Sequence, residues 1–126
     1  MEGMTECPFC GPAAEEVVLQ GRLWYARWDR YPVSPGHLLL IPFRHVPDLF
    51  DATLEEMTEL PRLLNEAKAL LDLQFHPDGF NVGVNCGEAA GQTMMHLHVH
   101  LIPRFHGDMD DPRGGVRGVI PERRKY

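Results

Sequence analysis

The chain is 126 residues long, 44% hydrophobic, and carries a formal charge of −6 at neutral pH. That length supports one domain around one core and excludes two comfortable ones, and the acidic balance excludes a general nucleic-acid binder, which needs a broad basic footprint. No run approaches a membrane span, and Met1–Cys10 has neither the basic start nor the apolar stretch of a secretory leader, so the expected setting is the cytoplasm with no membrane partner.

Cys7-Pro8-Phe9-Cys10 opens the chain, and with Cys86 it makes three cysteines, an odd count that argues against a disulfide framework. Gly11-Pro12 directly behind the pair does not suit a redox strand–turn–helix setting, which leaves metal binding or plain packing. Cys86 sits in an apolar stretch and reads as a small buried hydrophobe. Glu15–Gln20 and Arg22–Asp29, rich in Val, Leu, Trp and Tyr, read as two strands of a hairpin flanking Gly21. Asp29 to Gly36 concentrates two prolines and a glycine and reads as a loop. His37–Ile41 is an apolar run closed by Pro42, a third strand buried on at least one face.

From Thr53 the period changes. Leu54, Met57, Leu60, Leu64, Ala67, Ala69, Leu70 and Leu71 form an apolar stripe at helical spacing, with Thr53 and Glu56 placed as a capping box. Pro61 falls inside that helix, where a missing N–H costs about 3 kcal/mol and predicts a kink or break. His76-Pro77-Asp78-Gly79 is a turn. Phe80, Val82 and Val84 alternate with polar or small residues as a fourth strand, and Gly87–Gly91 is a small-residue loop. Strands, helix, then strands fits an α+β domain whose antiparallel sheet is covered by a helix on one face.

The last strand is His96-Leu97-His98-Val99-His100-Leu101-Ile102. Side chains alternate along an extended segment, so three imidazoles share one face, neighbours roughly 7 Å apart, while Leu97, Val99 and Leu101 face the core. Two chemistries use such a set: the imidazoles ligate a transition metal, or one attacks phosphorus while its neighbours donate protons or hydrogen bonds. Gln92, Thr93 and Asn85 add amide and hydroxyl groups suited to phosphate oxygens. Phe9, Trp24, Tyr25 and Trp28 offer aromatic faces for a nucleobase, with core packing the competing use. The Gly- and Arg-rich stretch 111–121 places Arg113 and Arg117 as possible partners for terminal phosphates.

His96 to Ile102 matches the pattern His-φ-His-φ-His-φ-φ, with φ apolar, at every position, and so resembles the histidine triad (HIT) family. The resemblance runs through Cys7-Pro8-Phe9-Cys10, Pro35-Gly36-His37, Pro42-Phe43-Arg44-His45-Val46, Asn85 and Ala90-Gly91-Gln92-Thr93. It implies an antiparallel sheet of about five strands with one long and one short helix, joined into a continuous sheet across a homodimer. Residues 1–104 then form the HIT domain, with 105–126 a C-terminal extension packed on or near the active site.

The resemblance also implies an activity: a nucleotide hydrolase cleaving at the α-phosphate of a nucleotide substrate, dinucleoside polyphosphates first. His98 is the implied nucleophile, forming a nucleotidyl-histidine intermediate that water resolves. His100 shares the phosphate site, with Thr93 and Gln92 assisting, and Asn85 and Asp29 join the nucleotide-binding set, Asp29 as acceptor from ribose hydroxyls. Members opening with Cys-x-x-Cys resemble a zinc-bearing branch, which implies structural zinc on Cys7, Cys10, His45 and His96, and no organic cofactor. Phosphoramidate hydrolysis, nucleotidyl transfer, a metal on His98 and His100, and nucleotide binding without turnover are the competing readings.

Overall fold

A computed structural model describes residues 7–126. The reading of Met1–Cys10 as free of leader character therefore lies mostly outside the described residues. The sheet contains β1 (Leu19–Gln20), β2 (Trp24–Trp28), β3 (Leu38–Pro42), β4 (Gly79–Gly83) and β5 (Val99–Arg104), in spatial order β1-β2-β3-β5-β4 with every pair antiparallel. One α-helix among the described residues, α1 (Leu54–Phe75), crosses one face. The short helices that accompany α1 among the described residues are 3-10 segments of three to five residues.

Period-two alternation sorts the sheet into two apolar layers. Trp24, Ala26, Leu38, Leu40, Leu97, Val99 and Leu101 face α1, which supplies Leu63, Ala67 and Leu71. The opposite face holds a smaller cluster of Phe9, Tyr25, Leu39 and Ile41. The helix starts where the capping box required: Thr53 Oγ1 accepts from the Glu56 N–H at 3.0 Å, and Glu56 Oε1 accepts from the Thr53 N–H at 2.8 Å. Glu56 is buried and ion-paired with Arg44 at 2.9 Å, and its carbonyl accepts from the Trp24 indole N–H at 2.8 Å. One residue thus fastens the helix start to the sheet.

Four local expectations are corrected. The first hairpin strand is only Leu19–Gln20, because Ala14–Glu16 coils into a 3-10 turn closed by Glu16 Oε1 accepting from the Ala13 N–H at 2.9 Å. Pro61 does not break α1, whose 22 residues continue through it. Proline removes one hydrogen bond there, and packing of Leu60, Leu63, Ala67 and Leu71 against the sheet outweighs that loss. The apolar stripe is narrower than expected: Leu54 is 80% exposed, and Met57 and Ala69 also lie on the outer face. Finally, ladder pairing starts only at Val99. His96 and His98 precede the regular strand, with the Leu97 N–H donating to Val46 O at 2.7 Å, yet the in–out alternation persists through them.

Candidate active site and metal centre

The histidines do not converge on one pocket. His96 is fully buried and turns toward the N-terminal turn, whereas His98 and His100 line a cavity of about 600 Å³ on the face opposite α1. That volume lies in the range of small-molecule sites. Phe9, Trp28, Leu39 and Met94 supply apolar walls, and Asp29, Asn85 and Thr93 polar ones. The loop that carries Thr93 turns at Gly91, whose φ of +95° suits a residue without a Cβ.

Hydrogen bonds assign the tautomer of each ring. His98 Nδ1 lies 2.9 Å from the His96 carbonyl, which can only accept, so the proton is on Nδ1 and the lone pair is on Nε2. Next to it, the Val33 N–H donates to His37 Nδ1 at 3.2 Å, which puts the His37 proton on Nε2. His37 Nε2 then donates to His100 Nδ1 at 2.9 Å, leaving the neutral His100 ring with its proton on Nε2. Burial, followed by the neighbouring His98 and His37 rings, pushes His100 down to about 4, and burial lowers His37 as well, so both are neutral at pH 7. The site therefore presents an imidazole lone pair on His98 beside an N–H donor on His100, with ring centroids 5.2 Å apart. A basic nitrogen next to a fixed donor is an arrangement for attack and leaving-group stabilisation.

His96 is oriented from the other side. Its Nε2 donates to the Pro42 carbonyl at 2.8 Å, which aims the Nδ1 lone pair at Cys7 Sγ (3.5 Å), Cys10 Sγ (3.5 Å) and His45 Nδ1 (3.1 Å). Cys10 Sγ is 3.1 Å from His45 Nδ1, and all four donor atoms lie within 4.8 Å of one another. A tetrahedron of thiolates and imidazoles around zinc, with its usual bond lengths, requires donor separations of about 3.3–3.8 Å. The four contacts of 3.1–3.5 Å lie within about 0.2 Å of that range. His96 turns its Nδ1 lone pair to that group, and the Pro42 bond is the kind of outer-sphere contact that fixes a ligating ring.

In a second group of metal-capable side chains, Asp29, His37 and His100, the two rings are joined by their hydrogen bond, and Asp29 Oδ2 lies 3.3 Å from His37 Nε2 and 3.8 Å from His100 Nδ1. Among the described residues no such group of three or more includes His98.

Comparison with known proteins places this geometry. The model of the HIT domain matches residues 11–107. The chain belongs to the HIT family. The HIT chain is 42% identical over 82% of its length to an AP-4-A phosphorylase of Mycobacterium tuberculosis, covering 54% of that protein. It is 36% identical over 79% of its length to a bis(5'-nucleosyl)-tetraphosphatase (asymmetrical) of Schizosaccharomyces pombe, covering 55% of it. This chain thus spans about half the length of those curated relatives. Among solved structures, a zinc-bound histidine triad family protein from Mycobacterium smegmatis superposes with a TM-score of 0.74 at 31% identity, covering 82% of this chain and 78% of that one.

Other residues singled out in this HIT sequence take different places. Gln92 is buried behind the cavity wall: its Oε1 accepts from the Gly87 N–H at 2.7 Å, and its Nε2 donates to the carbonyls of Pro47 and Met94. Thr93 and Asn85 do face the cavity. Asp29 is on the rim, with Oδ1 accepting from the Tyr31 N–H at 2.8 Å and Oδ2 toward the two histidines. Trp24 and Tyr25 are core residues, whereas Phe9 and Trp28 reach the cavity. Arg113 is paired with Asp111, and Arg117 donates to the carbonyls of Arg123 and Arg124, so neither points free charge at the site.

Two cavity residues carried no signal in the sequence. Arg27, in a strand, reads as a solvated charge, yet it is buried and donates to the Pro8 carbonyl at 3.0 Å while lying over the Phe9 ring. Val33 contributes its backbone amide, which no side-chain pattern reveals.

Proposed function

We propose that this HIT chain is a nucleotide hydrolase acting at the α-phosphate of dinucleoside polyphosphates. The observation that carries the reading is the pair of opposed tautomers, with the His98 Nε2 lone pair and the His100 Nε2–H fixed by the carbonyl of His96 and by the Val33–His37 chain. His98 Nε2 attacks the α-phosphorus, a nitrogen–phosphorus bond forms, and the bond to the bridging oxygen breaks. The departing oxygen takes up its negative charge beside the His100 N–H, which donates to it. Water then displaces His98, breaking the nitrogen–phosphorus bond and releasing the nucleoside monophosphate. Thr93 and Asn85 bind phosphate oxygens, Asp29 accepts from the ribose, and Gln92 positions the loop that carries Thr93. The names of the relatives, a phosphorylase of AP-4-A and a bis(5'-nucleosyl)-tetraphosphatase, support the substrate class.

Zinc on Cys7, Cys10, His45 and His96 is the implied metal; when bound, it supplies a closed structural charge centre and no open coordination position. The chain's own contribution is to bring Phe9, held between those cysteines, against His98 at a centroid distance of 5.1 Å. A homodimer with a continuous sheet is supported by the open edge of β4, where Val82 is 45% exposed. No helix among the described residues is long and apolar enough to cross a membrane. The cysteine usage favours the cytoplasm as its compartment.

The test is His98→Asn. Intact mass after acid quenching gains one acid-labile nucleoside monophosphate in the unchanged protein and none in the variant. Turnover falls by at least about 10⁴-fold, as for loss of a covalent nucleophile, while nucleotide binding persists. Turnover retained by the variant, or a labile adduct that survives the substitution, refutes the mechanism.

A further inference from the structure

A second cavity, of about 580 Å³, abuts the first and shares Val33, His37, Asn85 and His100 with it. Its floor is the β4–β5 face, with Asn81, Val84 and Ile102, and its wall is the 3-10 turn Gly115–Val119 of the C-terminal segment. We propose that this cavity is a second nucleoside subsite, which receives the leaving nucleoside of a dinucleoside polyphosphate. The inference rests on the hydrolase reading above and narrows it, because a phosphoramidate with a small leaving group has no use for such a site.

Three observations carry it. The first is continuity: His100, the donor beside the reacting phosphate, and His37 line both cavities, and His98 lines the first, so a ligand with a nucleoside at each end of a phosphate chain can fill both while its phosphates cross His98 and His100. The second is the chemistry of the lining. Val33, Val84, Ile102, Val116 and Val119 offer aliphatic surface for the faces of a base, and the Asn81 amide, whose oxygen accepts from Arg104 at 2.7 Å, offers N–H donors for its edge. Val116 and Val119 are 61% and 78% exposed, apolar surface that a seated base would cover.

The third is preorganisation of the wall. Arg117 donates to the carbonyls of Arg123 (3.0 Å) and Arg124 (3.1 Å), Arg124 donates to those of Asp111 and Arg113, and Lys125 pairs with Asp111 at 2.7 Å. Gly114 closes this loop at φ +91°, and a Cβ on it would collide with the Arg124 carbonyl oxygen. Residues 111–125 are thus held in one shape, and ligand binding does not have to order them.

The experiment compares two ligands on the binding-competent His98→Asn protein by calorimetry: a P1,P4-dinucleoside tetraphosphate and the matching nucleoside 5'-tetraphosphate, with adenine and then guanine. The two share one nucleoside and the same phosphates. The dinucleoside binds at least tenfold more tightly, and that ratio falls toward one when Val116→Ser and Val119→Ser are added. Val119→Ser alone, at an exposed position, lowers the ratio part-way and serves if the combined variant misfolds. A ratio near one in His98→Asn, or a ratio indifferent to the valine changes, overturns the subsite. Because no turnover is measured, a failure of the nucleotidyl-histidine mechanism appears only in the acid-quench assay and cannot be confused with a failure here.

Discussion

Removing the zinc proposed for Cys7, Cys10, His45 and His96 should release the N-terminal turn from the catalytic face while the sheet stays folded. Apart from the cation, Cys7–Cys10 is held by burial of Phe9, by the Tyr25 hydroxyl donating to Phe9 O at 2.7 Å, and by Arg27 donating to Pro8 O at 3.0 Å. Phenylalanine burial contributes about 2 kcal/mol, the neutral hydrogen bond about 1 and the charged one about 2. Ordering four residues costs about 4–8 kcal/mol of backbone entropy, so the segment is close to balance without a cation. A metal present at about a thousand times its dissociation constant adds about 4 kcal/mol, which tips the balance to the docked state. Chelation, or Cys10→Ala, is therefore expected to lower the melting temperature by about 10–15 °C. Amide exchange at Phe9 and Cys10 should become fast while β3 and β5 stay protected, and kcat/KM should fall about tenfold as Phe9 leaves the His98 ring. If exchange at Phe9 and Cys10 stays slow after the metal is removed and shown absent, the packing contacts suffice and the reasoning fails.

Further predictions concern His100, His37 and Gln92. His100, pushed down to about 4 in the fold with a side chain 23% exposed, is neutral where an unfolded histidine is charged below about pH 6.5. Its contribution to stability is full above pH 6.5 and is lost as pH falls toward 4, by about 3 kcal/mol at most. Urea titrations of the unchanged protein and His100→Gln between pH 7 and 4 should diverge with that sign; parallel curves refute the neutral ring. His37→Phe removes the donor that fixes the His100 tautomer, so kcat should fall about 10²-fold with a smaller change in KM, and the acid limb of the pH profile should shift. An unmoved pH profile assigns His37 to packing alone. Gln92→Leu leaves the Gly87 N–H and the Pro47 and Met94 carbonyls without partners and should cost about 2–4 kcal/mol by chemical denaturation. A loss under about 0.5 kcal/mol shows that the amide is not the loop's fastener.

What the sequence determined by itself is whatever a short period or a local cap encodes. Alternation alone put Leu97, Val99 and Leu101 into the core with His98 and His100 on the other face, and it held even where the ladder had not begun. Thr53 and Glu56 set the start of α1, because a capping box involves only neighbours along the chain. What only the tertiary structure decided is how each polar atom is spent. His37 meets His100 across 63 positions and Cys10 meets His96 across 86, so the tautomers and the gathered metal donors depend on strand order, which no local pattern contains. The same holds for Gln92, whose partner at Pro47 lies 45 residues away and turns a phosphate-binding type of side chain into a fastener. Pro61 and Leu54 went the other way: local propensity spoke for a kink or break and a buried leucine, whereas α1 runs unbroken through Pro61 and leaves Leu54 exposed. Residue type limits what a side chain can do, and the distance-spanning pairings of the fold select which of those options it takes.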